Sequence, residues 1–186
     1  MANSFEVTGG LELSGELVPQ GAKNEALQIL CAVLLTPEKM VIRNIPDIRD
    51  VNKLIELLQH LGVQVEQTGV LKGEFTFHAK NINIDYLDTP DFKKQASALR
   101  GSIMIVGPLL ARYGKARIPK PGGDKIGRRR LDTHFVGFQS LGAQFDYNDQ
   151  DSFYNVTAKK LKGAYMLLDE ASVTGTANIV MAAVLA

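Results

Sequence analysis

The chain has no tryptophan, one cysteine and three histidines among 186 residues. A lone Cys31 excludes an internal disulfide and a cysteine-built zinc site, and it fits a reducing compartment. His60, His78 and His134 lack metal-ligand spacing, so neither a metal nor a cofactor is expected. Neither sign of charge is in excess: Lys and Arg number 21, Asp and Glu 20, and the formal net charge is +1. That balance argues against a nucleic-acid partner held by bulk charge. Long apolar runs are also missing. Gly, Pro or a charged residue interrupts each one well short of a membrane span, so no membrane partner is expected. The first residues lack the basic stretch and apolar run of a secretory leader, which points to the cytoplasm. What is present is 45% apolar and 22% charged, enough for a packed core and unlike a disordered chain.

Periodicity gives the elements. "FEVTGGLELSGELV" alternates at Phe5/Val7 and Leu11/Leu13 between glycine turns and reads as strands. "GAKNEALQILCAVLL" places Leu27, Leu30, Cys31 and Leu34 at helical spacing, and Pro37 ends the pattern. Cys31 falls inside that apolar helix and is expected to be a buried core residue. "VIRNIP" is a short strand. "DIRDVNKLIELLQHLG" is a helix with Val51, Leu54, Leu58 and Leu61 on one face, and Gly62 stops it. "VQVEQ" and "EFTFHA" alternate as strands. Further on, "DFKKQASALRGSIMIVGPLLARYG" reads as one helix. "KARIP" is a strand, "LDTHFVGFQSLG" a helix, and "AQFDYN" and "FYNVTA" are strands.

The plan repeats. "LLQHLGVQVE" aligns with "GFQSLGAQFD" at an offset of 80, and "QILCAVLL" with "IMIVGPLL" at an offset of 75. A third copy opens at "LLDEASVTGTANIVMAAVLA". The unit is helix, strand, helix, strands, recurring about every 75 to 80 residues. Two copies are complete. The third stops on an uncapped apolar run, which suggests a piece of a longer protein.

One segment stands out chemically. "PKPGGDKIGRRRLDTH" sets Asp124 behind Gly122-Gly123 and ahead of Lys125, Arg128, Arg129 and Arg130. On residue type alone Asp124 is a turn residue, favoured after two glycines. The glycines of "GGDKIG" suit either a closing lid or simple turn punctuation.

Taken together, "GAKN" (Gly21–Asn24), "LRGSI" around Arg100, "PGGDKIGRRRLDTH" and "SVTGT" from Ser172 resemble the UDP-N-acetylglucosamine enolpyruvyl transferase (1-carboxyvinyltransferase) family over about Phe5 to Ala186. The resemblance is to the N-terminal portion. It implies an α/β fold in which each of two lobes is an inside-out α/β barrel, helices within and sheets outside. This chain would hold two units and a truncated third. Residues 21–186 would form most of the first lobe. Residues 1–20 would be strands that pair with a second lobe not contained in the chain.

The resemblance also implies chemistry. The 3-hydroxyl of UDP-N-acetylglucosamine attacks the central carbon of phosphoenolpyruvate, the methylene carbon gains a proton, and phosphate leaves the resulting ketal. This is the first committed step of peptidoglycan synthesis. Phosphoenolpyruvate and UDP-N-acetylglucosamine are therefore the expected ligands, held by fixed cations beside a general acid. Lys23, Asn24 and Arg129 match the residues that contact phosphoenolpyruvate. Arg100, Arg129, Arg130, Leu131, Asp132, Thr133, Ser172 and Val173 match those that hold the sugar nucleotide. Asp124 occupies the place of the usual cysteine, the proton donor and the target of fosfomycin, so insensitivity to that drug is implied. Arg130 stands where many members have proline, and Glu170 where some have lysine. The chain by itself is expected to be an inactive fragment of such an enzyme; a non-catalytic anion- or nucleotide-binding α/β domain and a shikimate-type enolpyruvyl transferase are the alternatives. On residue type alone, Asn24 is a helix cap, Lys23 a solvated cation and Arg100 a helix-surface charge. Arg129 is then a loop cation, and Ser172 starts a helix. His134 is either structural or a neighbour that orients the loop.

Overall fold

The computed structural model describes residues 4–68, 73–122 and 130–186. The first unit runs α1 (Lys23–Ala32), a 3-10 turn (Val33–Leu35), β1 (Lys39–Ile42), α2 (Arg49–His60), β2 (Gln64–Gln67) and β3 (Phe75–His78). The second opens with a 3-10 turn at Ile84–Asp88 and continues with α3 (Pro90–Ser97), a 3-10 segment (Arg100–Ile105) and α4 (Val106–Tyr113). It then adds β4 (Lys115–Pro119), α5 (Asp132–Ser140), β5 (Gln144–Asn148) and β6 (Phe153–Thr157). The third contributes α6 (Val173–Ala183).

The repeat seen in the sequence is a repeat in space. Each unit builds a three-stranded antiparallel sheet, ordered β1-β3-β2 and β4-β6-β5. Registers correspond as well: Lys39 and Gln64 both face His78, and Lys115 and Gln144 both face Thr157. The shared Leu-Gly motif explains how each second helix turns into its strand. Gly62 and Gly142 take left-handed φ values of 101° and 93°. Their N–H groups donate to Gln59 O and Gln139 O, and the next residues, Val63 and Ala143, donate to Leu58 O and Phe138 O. This is the 6→1 and 5→2 closure that a residue with a Cβ adopts only with strain.

Helices hold the centre. Leu30, Cys31 and Leu34 from the first unit, Val106, Leu109 and Leu110 from the second, and Ile179 and Ala182 from the third are all buried. α4 packs on α6, and α1 packs on α2. The strands bury one face, with Phe77, Ala116, Ile118, Phe153 and Val156 turned inward. The result is an α/β domain with helices inside and sheets outside. Cys31 is fully buried, as its apolar run implies, and desolvation pushes its thiol pKa far up. No helix among the described residues is long and apolar enough to cross a membrane.

Two expectations need correction. The stretch "DFKKQASALRGSIMIVGPLLARYG" is not one helix. Leu99 is extended (φ −133°, ψ 121°) and separates α3 from the 3-10 segment. The buried Ser102 hydroxyl lies 2.8 Å from Ala96 O and 2.7 Å from Leu99 O, satisfying carbonyls at the break. Residues 4–20, expected as strands, have no strand structure, and all are exposed; Phe5 is 97% and Leu13 92% accessible. Alternation there has no partner to act on, and an unsupported strand pair is marginal in water.

Candidate functional site

Helix starts converge at one end of the domain. The cleft they bound is about 810 Å³ and is lined by Lys23 and Asn24 of α1, Arg49, Asp50 and Lys53 of α2, and Arg100 at the head of the 3-10 segment. Arg130 and Leu131 just before α5, and Ser172, Val173 and Thr174 at the start of α6, complete it. Each of the three units supplies first turns to the same space. The N–H groups of a first turn have no partners within their own helix, and the aligned peptide dipoles leave positive charge there. Among the described residues, five basic side chains and two carboxylates, Asp50 and Glu170, line the walls. Such a cleft favours anions.

Each side chain is placed by its element. Lys23 is the first residue of α1 and reaches Asp50 in the first turn of α2, Nζ to Oδ2 3.2 Å. The pair is about two-fifths exposed on each side, so it orients Lys23 without neutralising the cleft. Ala22, not Asn24, is the N-cap of α1, which removes the capping role from Asn24 and leaves it on the cleft wall. The break at Leu99 brings Arg100 to the cleft; in an uninterrupted helix it would be an ordinary surface charge. Ser172 is the N-cap of α6, its Oγ accepting from Gly175 N–H at 3.0 Å. Ser172 thus starts the helix, as its residue type implies, and lies on the cleft wall as well.

Arg130 is less available than its sequence position suggested. Its guanidinium Nε donates to both Asp132 carboxylate oxygens at 3.0 and 2.9 Å, and Nη2 pairs with Asp132 and lies 3.4 Å from Asp169. The guanidinium holds the Asp132 carboxyl below the usual carboxylate range. Asp132 thus serves as the partner of Arg130, and it is not on the cleft wall. Thr133 is buried, its Oγ1 3.5 Å from Glu170 Oε2. Asp124 and Arg129 lie outside the described residues. Gly122, just before them, packs so tightly on the Ser97 carbonyl that an added Cβ would collide with it.

Sequence reasoning missed Arg49, Asp50 and Lys53. Their spacing put Arg49 and Lys53 on one helical face, which reads as an ordinary solvated surface. It also missed the state of His134. This side chain is 2% exposed, and burial, with the Arg100 charge nearby, lowers its pKa to about 4. At neutral pH it is an uncharged ring at the edge of a cationic cleft.

With this arrangement in view, the comparisons with known proteins fix the class. The sequence matches the family described as EPSP synthase (3-phosphoshikimate 1-carboxyvinyltransferase) over residues 7–186, and the chain belongs to that family. Among curated relatives, it is 61% identical over 183 residues to the UDP-N-acetylglucosamine 1-carboxyvinyltransferase of Bacteroides fragilis, covering 98% of this chain and 42% of that protein. It is 58% identical to the enzyme of the same name from Porphyromonas gingivalis, with the same coverage. The match is to the N-terminal part of these proteins. The chain therefore spans about two-fifths of the length of the curated relatives it matches. Among solved structures, the enolpyruvyl transferase NikO from Streptomyces tendae superposes with a TM-score of 0.66 at 18% identity, over 94% of this chain and 39% of that one. An EPSP synthase from Acinetobacter baumannii gives 0.62 at 19%, over 90% of this chain and 37% of that one. These two establish the EPSP synthase-like α/β fold and nothing finer.

Proposed function

We propose that the protein carrying this chain transfers the enolpyruvyl group of phosphoenolpyruvate to the 3-hydroxyl of UDP-N-acetylglucosamine, releasing phosphate, as a cytoplasmic step of peptidoglycan synthesis. The observation that supports it best is the convergence of Lys23, Asn24, Arg100, Arg130, Leu131, Ser172 and Val173 on one cation-rich cleft. The names of the curated relatives from Bacteroides fragilis and Porphyromonas gingivalis favour the sugar nucleotide over a shikimate acceptor. Two polyanionic ligands need that much fixed positive charge, and helix starts supply it without reorganising.

In this reading Lys23, Asn24 and Arg129 hold phosphoenolpyruvate. Arg100 and the α6 start hold the diphosphate, with the 129–133 segment beside the uridine. The sugar 3-hydroxyl gives its proton to a general base of the second lobe as its oxygen bonds to the central carbon of phosphoenolpyruvate, and Asp124 delivers a proton to the methylene carbon. The conjugate base left on the enzyme then takes a proton from the new methyl group as the C–O bond to phosphate breaks, which restores the double bond and releases phosphate. An Asp carboxyl ordinarily titrates near 3.9, about where it cannot hold a proton at neutral pH. The substrate's own phosphate and carboxylate must therefore raise it, or the phosphate brings the proton with it. Residues 21–186 make up most of one lobe. Residues 1–20 pair with a second lobe that completes the site, so the 186-residue chain alone is inactive.

The test is phosphate release by the full-length protein. Release that requires both phosphoenolpyruvate and UDP-N-acetylglucosamine is expected, and none from the isolated chain. Release with shikimate 3-phosphate but not with the sugar nucleotide would favour the shikimate-type alternative, and binding without release would favour a non-catalytic domain.

A further inference from the structure

Asn178 sits in the middle of α6, fully buried within the run "NIVMAAVLA". Its side chain makes three hydrogen bonds to described residues, one at the oxygen and two at the nitrogen. Gly107 N–H of α4 donates to Oδ1 at 2.9 Å, and Nδ2 donates to Ile103 O of the 3-10 segment at 2.9 Å. Nδ2 also lies 3.0 Å from His134 Nδ1 of α5. An amide N–H can only donate and a carbonyl can only accept, so the first two bonds fix which end of the Asn178 amide is oxygen. The contact is close because position 107 is glycine; a Cβ there would collide with Asn178 O.

The third bond then follows. With Nδ2 oriented by Ile103, its remaining N–H points at His134 Nδ1, which must accept. An imidazole whose Nδ1 accepts carries its proton on Nε2. Nε2 has no hydrogen-bond partner among the described residues, and His134 lines the cleft. We propose that Asn178 is a positioning residue for the cleft. By donating to Nδ1 it fixes His134 as the neutral tautomer whose Nε2–H donates to an anionic ligand oxygen. Taking that oxygen to belong to the sugar-nucleotide diphosphate rests on the function proposed above; the tautomer itself does not.

The surroundings support a neutral ring. α6 carries no titratable side chain. The 3-10 segment contributes Arg100, whose charge opposes an imidazolium. β5 carries Asp146 and Tyr147, both exposed. Arg130, Asp132 and Glu170 lie toward the cleft, and Asp132 is occupied by Arg130. A neutral donor beside Arg100 adds a directed hydrogen bond without adding like charge.

Long-range proton–nitrogen spectra of the full-length protein, labelled with nitrogen-15 histidine and assigned with His134→Gln, test this without any ligand. His134 should show an unprotonated Nδ1 and a protonated Nε2 from about pH 5.5 to about pH 8, where a free histidine would titrate. Asn178→Asp replaces the donor with an acceptor and should move a proton onto Nδ1. Added UDP-N-acetylglucosamine should shift the Nε2 resonance, and His134→Phe should weaken its binding about tenfold or more, the loss of one hydrogen bond to a charged group. His134→Gln, which can offer an amide N–H in place of Nε2–H, should recover part of that loss. A wild-type ring that is Nδ1-protonated or an imidazolium at neutral pH overturns the proposal, whether or not Asn178→Asp folds. An Nε2 signal unmoved at saturating nucleotide overturns the donor role. A locked tautomer that responds to the nucleotide in a protein that releases no phosphate would sink the transferase reading and leave this one standing.

Discussion

The two complete units share a backbone plan and differ in what their second helices bury. α2 turns Val51, Leu54, Leu57 and Leu58 inward, an all-aliphatic seam. α5, at the same place in the second unit, buries Thr133, His134, Gly137 and two phenylalanines. The repeat makes Leu54 of the first unit equivalent to His134 of the second. The first unit is therefore a dry frame, and the second carries a buried polar network joined to α6 through Asn178. Duplicated architecture tolerates this because the Leu-Gly turns, sheet order and register are set outside the seam. Once those are fixed, one copy can exchange packing for polar contacts, provided its buried polar atoms find partners and the rest face the cleft.

The largest expected effect separates the loops that precede these two helices. Asp124→Ala should lower turnover of the full-length protein by roughly 10²- to 10⁴-fold, the usual contribution of a general acid. Asp124→Cys should retain turnover and gain a covalent fosfomycin adduct by mass spectrometry, because a thiolate among cations is a strong nucleophile. The wild type, whose thiol in this chain is the buried Cys31, should gain none there. An adduct on wild-type Asp124, or full turnover in the Ala variant, would remove the catalytic role.

Next come the buried seams themselves. Asn178→Leu leaves the Gly107 N–H and Ile103 carbonyl without partners and should cost about 2–5 kcal/mol in chemical denaturation. Leu54→Ala in the dry unit should cost a comparable 2–5 kcal/mol, but through a cavity. The two differ in their cure: a small apolar ligand or a larger apolar neighbour can rescue the second only.

The polar seam alone should respond to acid. His134 has its folded-state pKa lowered from 6.5 to about 4. Unfolded chains therefore bind the extra proton first as pH falls, so this group's contribution is complete above about 6.5 and is lost between there and about 4. The slope approaches 1.4 kcal/mol per pH unit inside that window. His134→Gln should flatten this part of the stability profile. A steep slope that survives the substitution would place its origin elsewhere.

The smallest effect belongs to the surface. Asp50→Asn breaks the pair with Lys23 but should change stability by less than about 1 kcal/mol, since both groups are well exposed. Its influence should appear instead in the apparent affinity for phosphoenolpyruvate.

The sequence made the frame legible and the polar seam nearly invisible. Helices α1, α2 and α5 were readable because their apolar spacing is local. The repeat was readable because Leu-Gly turns recur at a fixed interval. The break at Leu99 was not, because its cause is tertiary: Ser102 bonding back to Ala96, and Gly101 packed against Leu27. Residues 4–20 form no strands within this chain for a related reason, since alternation says nothing about whether a partner sheet is present. Lys23, Arg100 and Ser172 could be placed together only through the family resemblance; spacing alone leaves them as unrelated helix starts. Asn178 and His134 lie 44 positions apart with no shared period, and one polar residue inside an apolar run was the sole sign.

The central claim is that helix starts from three units form one site for a sugar nucleotide. A crystal structure of the full-length protein with UDP-N-acetylglucosamine tests it most directly. The diphosphate is expected against the Ser172–Val173 start of α6, within hydrogen-bonding reach of Arg100 and His134 Nε2. A nucleotide bound away from this cleft, or a diphosphate that touches none of these groups, would contradict it.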